Sequence, residues 1–400
     1  MIIPTLKHIK LNKIDFKKTQ ALLFYMFFSM AYSQQKIIKT IVNQETLLTV
    51  AHADVVSNDG YTIANSEGKF ELFTDSKKIK IRRIGYEDYE ILIEKLKKVD
   101  SIFLKEKHME LHEVVLGNTM LINKYLDSTI GKFPKTKHSE NFFLRATLKK
   151  DNELVKLIDI SGQLERQKTF SSKKDYKKNC SFEIKNIRKA GVLDHSKNTP
   201  DFEMFSLSEL CYRINFFIYR PKFFNYEYES YIDEHILKVN FTPKDGKKTF
   251  SGHYLIDTAS TTIIKAHISS TTISEFTKKN KNKWRTVGWH LDTRLAHENS
   301  QNNMHVRHAI LTFDVEYINK LGETDLYHIR YDIHFDKKLH KVPVIENIKA
   351  NKEIFTLDFD YNEAFWKNQN QLPLTKEMVD FINGLDTLNQ NEFQGITNIK

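Results

Sequence analysis

Apolar residues along positions 36–106 come in short runs separated by turn-forming groups. Phe70 and Leu72 alternate with polar neighbours, and so do Ile79 and Ile81, as half-buried strands require. Asn58-Asp59-Gly60 and Ser66-Glu67-Gly68 read as turns, with both glycines placed where a turn wants positive φ. The pattern predicts strands near 36–43, 50–57, 61–65, 69–74, 78–84, 88–94 and 100–105. Seven short strands in so short a stretch argue for a β-sandwich. Helical spacing follows: Leu111, Val114 and Val115, a break at Gly117-Asn118, then Leu121, Ile122, Tyr125, Leu126 and Ile130. Gly131 and Pro134 supply a stop, giving a connecting helix within 107–134.

Beyond residue 141 the period changes to two, over longer segments. Strands are predicted at 141–148, 154–165, 235–242, 252–257, 262–272, 305–317 and 325–335. In the last, Tyr327, Ile329, Tyr331, Ile333 and Phe335 alternate with His328, Arg330, Asp332 and His334, so one face is buried and the other wet. Residues 278–304 are largely polar and predict a mobile hairpin tip or loop around an apolar stretch from Trp284 to Leu295. Thr375 then caps a helix with Met378, Val379 and Ile382 inward and Gly384 as the stop. Residues 386–400 are expected to fray.

The string A-D-V-V-S-N-D-G-Y-T-I-A-N-S-E-G-K-F-E-L, followed by I-K-I-R-R-I-G-Y-E-D-Y-E, resembles the carboxypeptidase-like regulatory domain. The matching positions are Ala53, Val55, Gly60, Thr62, Asn65, Gly68, Phe70, Ile81, Ile84, Gly85 and Tyr86. Thr40 departs from the family, which usually has a glycine in the first strand. The resemblance implies a transthyretin-like sandwich, of the kind found at the front of many Gram-negative envelope proteins. There it is an accessory module and not a peptidase. Gly252–Ala266 resembles the hairpin of lipoprotein-carrier-like sheets, and Ala364–Leu374 resembles the closing segment of such envelope proteins. The expected fold is therefore mainly β: a transthyretin-like β-sandwich (36–106), a connecting helix (107–134), and a larger antiparallel β-sheet domain with a C-terminal helix (141–385), then a flexible tail (386–400).

Charge adds a compartment. The 400 residues carry 61 Lys and Arg against 51 Asp and Glu, a formal +10. Lys7, Lys10, Lys13, Lys17 and Lys18 precede an apolar run from Ala21 to Tyr32. Ala31-x-Ser33 has cleavage spacing, so residues 1–33 read as a secretory signal peptide. The expected location is either the periplasm or the outer membrane, the latter through peripheral contact. The remaining positive excess is modest and does not call for nucleic acid. Export permits a disulfide, so Cys180 and Cys211 read either as one bridge or as two separate buried thiols.

Motifs for chemistry are weak. His108-Met-Glu110-Leu-His112 has its glutamate in the wrong place for a zinc peptidase. His328 and His334 stand about 20 Å apart on an extended strand, too far to share an ion. His305 and His308 would face opposite ways on a regular strand. Asp358, Asp360 and Glu363 lack the glycine and third acid of a calcium hand, and Ser171-x-x-Lys174 lacks companion motifs. No metal or cofactor is expected. The most unusual segment, Phe216–Ile232, concentrates aromatics around two basic residues. Phe216, Phe217, Tyr219, Arg220, Lys222, Phe223, Phe224, Tyr226 and Tyr228 read as an exposed aromatic platform, with a core strand as the competing reading. The functional expectation is an exported, non-enzymatic envelope protein that binds or scaffolds an envelope protein or an apolar or glycan ligand. The alternatives are a carrier of an apolar ligand and an unrecognised hydrolase.

Overall fold

A computed structural model describes residues 35–107, 115–116, 119–170, 179–194, 202–215, 223–230, 235–244, 249–279, 282–298, 303–319, 321–340, 343–370, 372–388 and 393–399. The expected signal peptide lies outside the described residues, as do His108, His112 and the segment from Ser171 to Lys174. The protein is mainly β and forms two compact units. One comprises residues up to Glu106 together with Gln369–Pro373, and the other comprises Lys107–Asn368 and Leu374–Lys400.

The first unit has strands β1 (Gln35–Asn43), β2 (Asp54–Val56), β3 (Tyr61–Ile63), β4 (Lys69–Thr74), β5 (Lys78–Arg82), β6 (Tyr89–Leu92) and β7 (Ser101–Leu104). A one-turn helix, α1 (Ile93–Leu96), follows β6. The strands form two sheets, ordered β4-β1-β7 and β3-β2-β5-β6. Their shared core takes Ile37, Ile41, Phe70, Leu72, Ile102 and Leu104 from one sheet and Val55, Ile79 and Ile81 from the other. Gly68 has φ +72°, and a Cβ there would stand 2.7 Å from the Ile41 carbonyl oxygen, so only glycine fits. Gly60 differs from expectation. It is not at positive φ; a Cβ there would meet Asn370 and the Phe73 carbonyl oxygen, so crowding selects the glycine. The Asn370 amide takes both backbone groups of Phe73, accepting from its N–H and donating to its carbonyl at 3.0 Å. That closes part of the free edge of β4.

The second unit opens with β8 (Val115–Leu116) and α2 (Thr119–Lys132). Ile122, Tyr125, Leu126 and Thr129 form its buried stripe. Leu121, expected inside, is outside. Then come β9 (His138–Lys150), β10 (Glu153–Arg166), β11 (Cys180–Asp194), α3 (Leu207–Ile214), β12 (Phe224–Ser230), β13 (Ile236–Pro243), β14 (Ser251–Asp257), β15 (Thr262–Ser270), β16 (Thr277–Lys279), β17 (Asn282–Glu298), β18 (Asn303–Ile318) and β19 (Thr324–His340). The chain ends with α4 (Glu363–Lys367), α5 (Lys376–Gly384) and β20 (Phe393–Thr397). These strands make one 13-stranded sheet, ordered β20-β11-β10-β9-β19-β18-β17-β15-β14-β13-β12-β8, with β16 attached to β17. Every pairing in it is antiparallel.

Three expectations fail here. Residues 282–298, expected within a hairpin tip or loop, are a strand: β17 is 17 residues long and pairs with β18 along its length, while 280–281 and 299–302 lie outside the described residues. The tail does not fray throughout, because β20 pairs with β11 as an edge strand. The C-terminal helix has its Thr375 cap, but none of its residues is buried and Val379 is exposed.

One sheet face carries the core. Phe142, Leu144, Ala146 and Leu148 of β9 join Tyr327 to Phe335 of β19, Leu311 and Phe313 of β18, and Ile122 and Leu126 of α2. Phe224, Tyr226 and Tyr228 belong to this core, at 1%, 5% and 5% exposure. The exposed platform is therefore corrected for these three rings. On β12 the even positions face inward, leaving Asn225 and Glu227 outside. Phe223 is partly buried against the same cluster. Phe216, Phe217, Tyr219, Arg220 and Lys222 lie outside the described residues. Cys180 and Cys211 are two separate buried thiols, not a bridge. Burial pushes the Cys180 thiol up to about 11.

Candidate functional site

The other face of the sheet is polar. Backbone register sets its order, because residues directly paired across strands point the same way. Reading across from β11, one row runs Arg188, Asp159, Arg145, Asp332, Ile310, Asp292, His267, His253, Asn240 and Glu227. Ionisable groups thus cross most of the sheet, interrupted by Ile310 and Asn240.

The first part of the row is closed. Arg145 grips Asp159 with Nε and Nη2, each 2.8 Å from a carboxylate oxygen. Arg188 adds Nε at 2.9 Å and Nη2 at 2.6 Å. Its guanidinium also lies over Trp366 of α4, 4.5 Å from the ring centroid. Burial works to raise the Asp159 carboxyl, but the two guanidinium groups hold it below its ordinary value. Asp332 sits similarly between His308 Nε2 at 2.7 Å and Arg330 Nη2 at 3.1 Å. His334 Nε2 comes within 2.7 Å of the same oxygen as His308, but off the angle of a hydrogen bond. The His308 and His334 rings stack with centroids 4.2 Å apart. Burial pushes His308 down to about 4, against the pull of Asp332.

The second part of the row is half-buried. His253 and His267 are register partners on β14 and β15, with rings 5.2 Å apart and 26° from parallel. Next along, Asp292 of β17 pairs with His267. Its Oδ1 lies 3.0 Å from His267 Nδ1 and 3.7 Å from Lys265 Nζ. Ionised Asp292 can only accept, so His267 donates to it from Nδ1. His290 stands two residues before Asp292 on the same face, 6.4 Å from the His267 ring, with Thr312 Oγ1 2.7 Å from its Nδ1. Burial lowers His253 to about 4 and also lowers His290. A Cβ on Gly252 would stand 2.0 Å from the His267 carbonyl oxygen, so this glycine lets β14 and β15 approach closely beside the cluster.

The histidines singled out in the sequence are placed as follows. His328 and His334 share the polar face, and His328 Nδ1 bonds Asp314 at 2.7 Å. His305 and His308 share a face, contrary to the regular-strand expectation. A bulge at Arg307 shifts the register, so Met304, Val306 and Ala309 all enter the core while both histidines turn away from it. Of the three acids weighed for calcium, Asp358 and Asp360 precede α4 and Glu363 opens it; Asn362 caps that helix by accepting from Phe365 N–H at 2.9 Å. Sequence reasoning missed His253, His267, His290 and Asp292, which come from three different strands. Their only sequence trace is a histidine at an alternating position of each strand.

No family model matches the chain, and no curated protein does. Among solved structures, an S-type phycobiliprotein lyase of Guillardia theta is similar at 7% identity, over 54% of this chain and 93% of that one, with a TM-score of 0.16. A protein of unknown function from Bacteroides fragilis, described as membrane-associated, is similar at 7% identity, over 76% of this chain and 99% of that one, with a TM-score of 0.14.

Proposed function

We propose that this chain is an exported, non-enzymatic binding protein of the cell envelope. Its N-terminal sandwich, which resembles the carboxypeptidase-like regulatory domain, is an interaction module. The open half of the polar sheet face receives a polar ligand or partner. The observation that supports this most is the row of half-buried ionisable groups from Asp292 to His253. Half-burying histidines on a sheet face costs solvation that a plain Lys/Glu surface would avoid. The carrier alternative needs space inside the sheet; among the described residues, Ile122 and Leu126 of α2 and Leu207 and Leu210 of α3 pack onto its core face.

Co-sedimentation of the purified full-length protein with envelope membranes tests the reading. Saturable binding, sensitive to salt and weakened by Lys238→Glu with Lys265→Glu, is the expected result. Equal binding by the charge-reversed protein, or none by the parent, would overturn it.

A further inference from the structure

We infer that the free edge of β20 receives an extended polypeptide segment of a partner protein as an added strand. A cleft beside that edge takes an apolar side chain of the segment, and Asp386 meets a Lys or Arg on it. The site lies at the β11 end of the long sheet and does not depend on the polar row from Asp292 to His253.

Backbone geometry carries the inference. β20 is an end strand: it pairs with β11 on one side, and among the described residues no strand pairs with its other side. One bond sets the phase of the ladder. Asn398 N–H donates to the Lys189 carbonyl at 3.3 Å, and these two residues come next in register after Thr397 and Ala190. In an antiparallel pair, residues that bond the partner strand alternate with residues that do not. Gln394 and Ile396 therefore turn their N–H and C=O groups to β11, while Phe393, Gly395 and Thr397 turn theirs outward. Water satisfies such a row in the free protein. Among macromolecules, another extended backbone matches its spacing, which fixes the chemical class of the ligand.

The cleft makes the edge selective. It has a volume of about 460 Å³, and Phe393, Gly395 and Thr397 line it from the strand. Leu385, Asp386 and Leu388 line it from the turn that follows α5. Gly395 keeps it open. A Cβ there would only reach ordinary contact, 3.7 Å from Leu385 Cβ and 3.8 Å from Leu388 Cδ1, so a longer side chain would fill the space. An added strand would set alternate side chains over this cleft. Charge then selects the occupant. Asp386 is exposed at the cleft, and β20 itself carries no basic residue. A second copy pairing edge to edge would set a second Asp386 at the same junction, with no cation from either strand. A partner segment bearing Lys or Arg meets that carboxylate instead.

Selection of a displayed library of random decapeptides against the full-length protein is the test. The recovered peptides should alternate apolar with polar residues and carry Lys or Arg. When they bind, amide exchange at Gly395 and Thr397 should slow, while Gln394 and Ile396, already bonded to β11, change little. Gly395→Pro removes an outward N–H and no bond to β11, as prolines on edge strands do. Affinity for the recovered peptides should then fall at least about 10-fold. Should that variant lose its cooperative melt, Asp386→Lys leaves the strand untouched and should weaken the same peptides by repelling their cation. Recovery of no peptide, peptides that neither variant weakens, or unchanged exchange at Gly395 and Thr397 would overturn the site. So would a homodimer of the parent that Gly395→Pro dissolves, since a second copy would then be the occupant. Membrane co-sedimentation, which tests the polar face, can succeed or fail independently of each of these results.

Discussion

Arg145 and Asp159 form a two-point ion pair with both side chains buried, one on β9 and the other directly opposite on β10. Arg188 binds the same carboxylate from the far side, so one anion serves two cations. Such a trio is held by its geometry: each desolvated charge is tolerated only while its partners stay in place.

Asp159→Ala should therefore be severe. It leaves two buried guanidinium groups without their carboxylate, and breaking a buried pair in this way costs about 3–5 kcal/mol. Replacing all three residues with apolar ones of similar size should cost much less. Urea unfolding of the single and triple variants would separate the cases; equal losses would show that packing and not charge dominates.

Acid should weaken the second unit in two stages. His308 has a folded pKa of about 4, below the ordinary histidine value, because it is buried. Its depressed folded pKa means the contribution is fully present above the unfolded value of about 6.5 and is lost as pH falls toward 4. The loss over that window is on the order of 3 kcal/mol. Asp332 and Asp159 are likewise depressed, so their contributions are present above the unfolded carboxylate value of about 3.9 and vanish only below it. Stability measured from about pH 7 to pH 4 should fall with a slope that His308→Gln reduces. An unchanged slope would mean that His308 is not buried neutral.

Much of the sandwich is legible in the sequence, because its strands alternate and its turns carry Asn, Asp and Gly at the right places. The long sheet is half legible. Tyr327–Phe335 shows its two faces at once, whereas β17 is hidden by a lysine- and asparagine-rich start and by Gly288, which resemble loop composition. The polar row is not legible. Register between strands distant in the chain makes it: Arg145 of β9 stands opposite Asp332 of β19, with nine other strands of the sheet between them in sequence. No local pattern encodes that pairing. Phe216–Ile232 misleads for a different reason: aromatics mark both binding surfaces and buried strands, and only the inward phase of β12 tells them apart.

Phe224→Ser and Tyr226→Ser should accordingly unfold the protein more readily instead of weakening association alone. Phe224 packs edge-on to Phe241 at 5.3 Å and lies against Phe250 at 5.2 Å. Truncating a buried Phe costs about 3–5 kcal/mol. A thermal melt of each variant checks this, and an unchanged melt would return these rings to the surface.

Gly252→Ala should disturb the histidine cluster without touching an imidazole. The added Cβ meets the His267 carbonyl oxygen at 2.0 Å and the Phe241 ring at 2.8 Å, so β14 must move away from β15. Overpacking of this kind costs about 1–3 kcal/mol. The His253 and His267 imidazole resonances should shift relative to the parent, while those of His328 stay in place. Unmoved His253 and His267 resonances would show that the strands absorb the methyl group elsewhere.

Removing residues 389–400 tests the last strand. β20 covers the edge of β11 from Ala190 to Asp194. Its end is fastened by side chains as well as by the ladder: Asn398 Oδ1 accepts from Lys189 N–H at 2.8 Å, and its Nδ2 donates to the carbonyls of Ile187 and Phe359 at 3.0 Å each. Without β20, those β11 groups lose their partners and the edge becomes a template for another chain. The shortened protein should melt lower and, at raised concentration, associate through that edge. Asn398→Ala alone should lose about 1–3 kcal/mol, since it strips buried or half-buried backbone groups of their partners without removing the strand. Size-exclusion chromatography with a melt of both variants decides the matter. A shortened protein that stays monomeric and melts like the parent would mean that β20 contributes nothing to the sheet it pairs with.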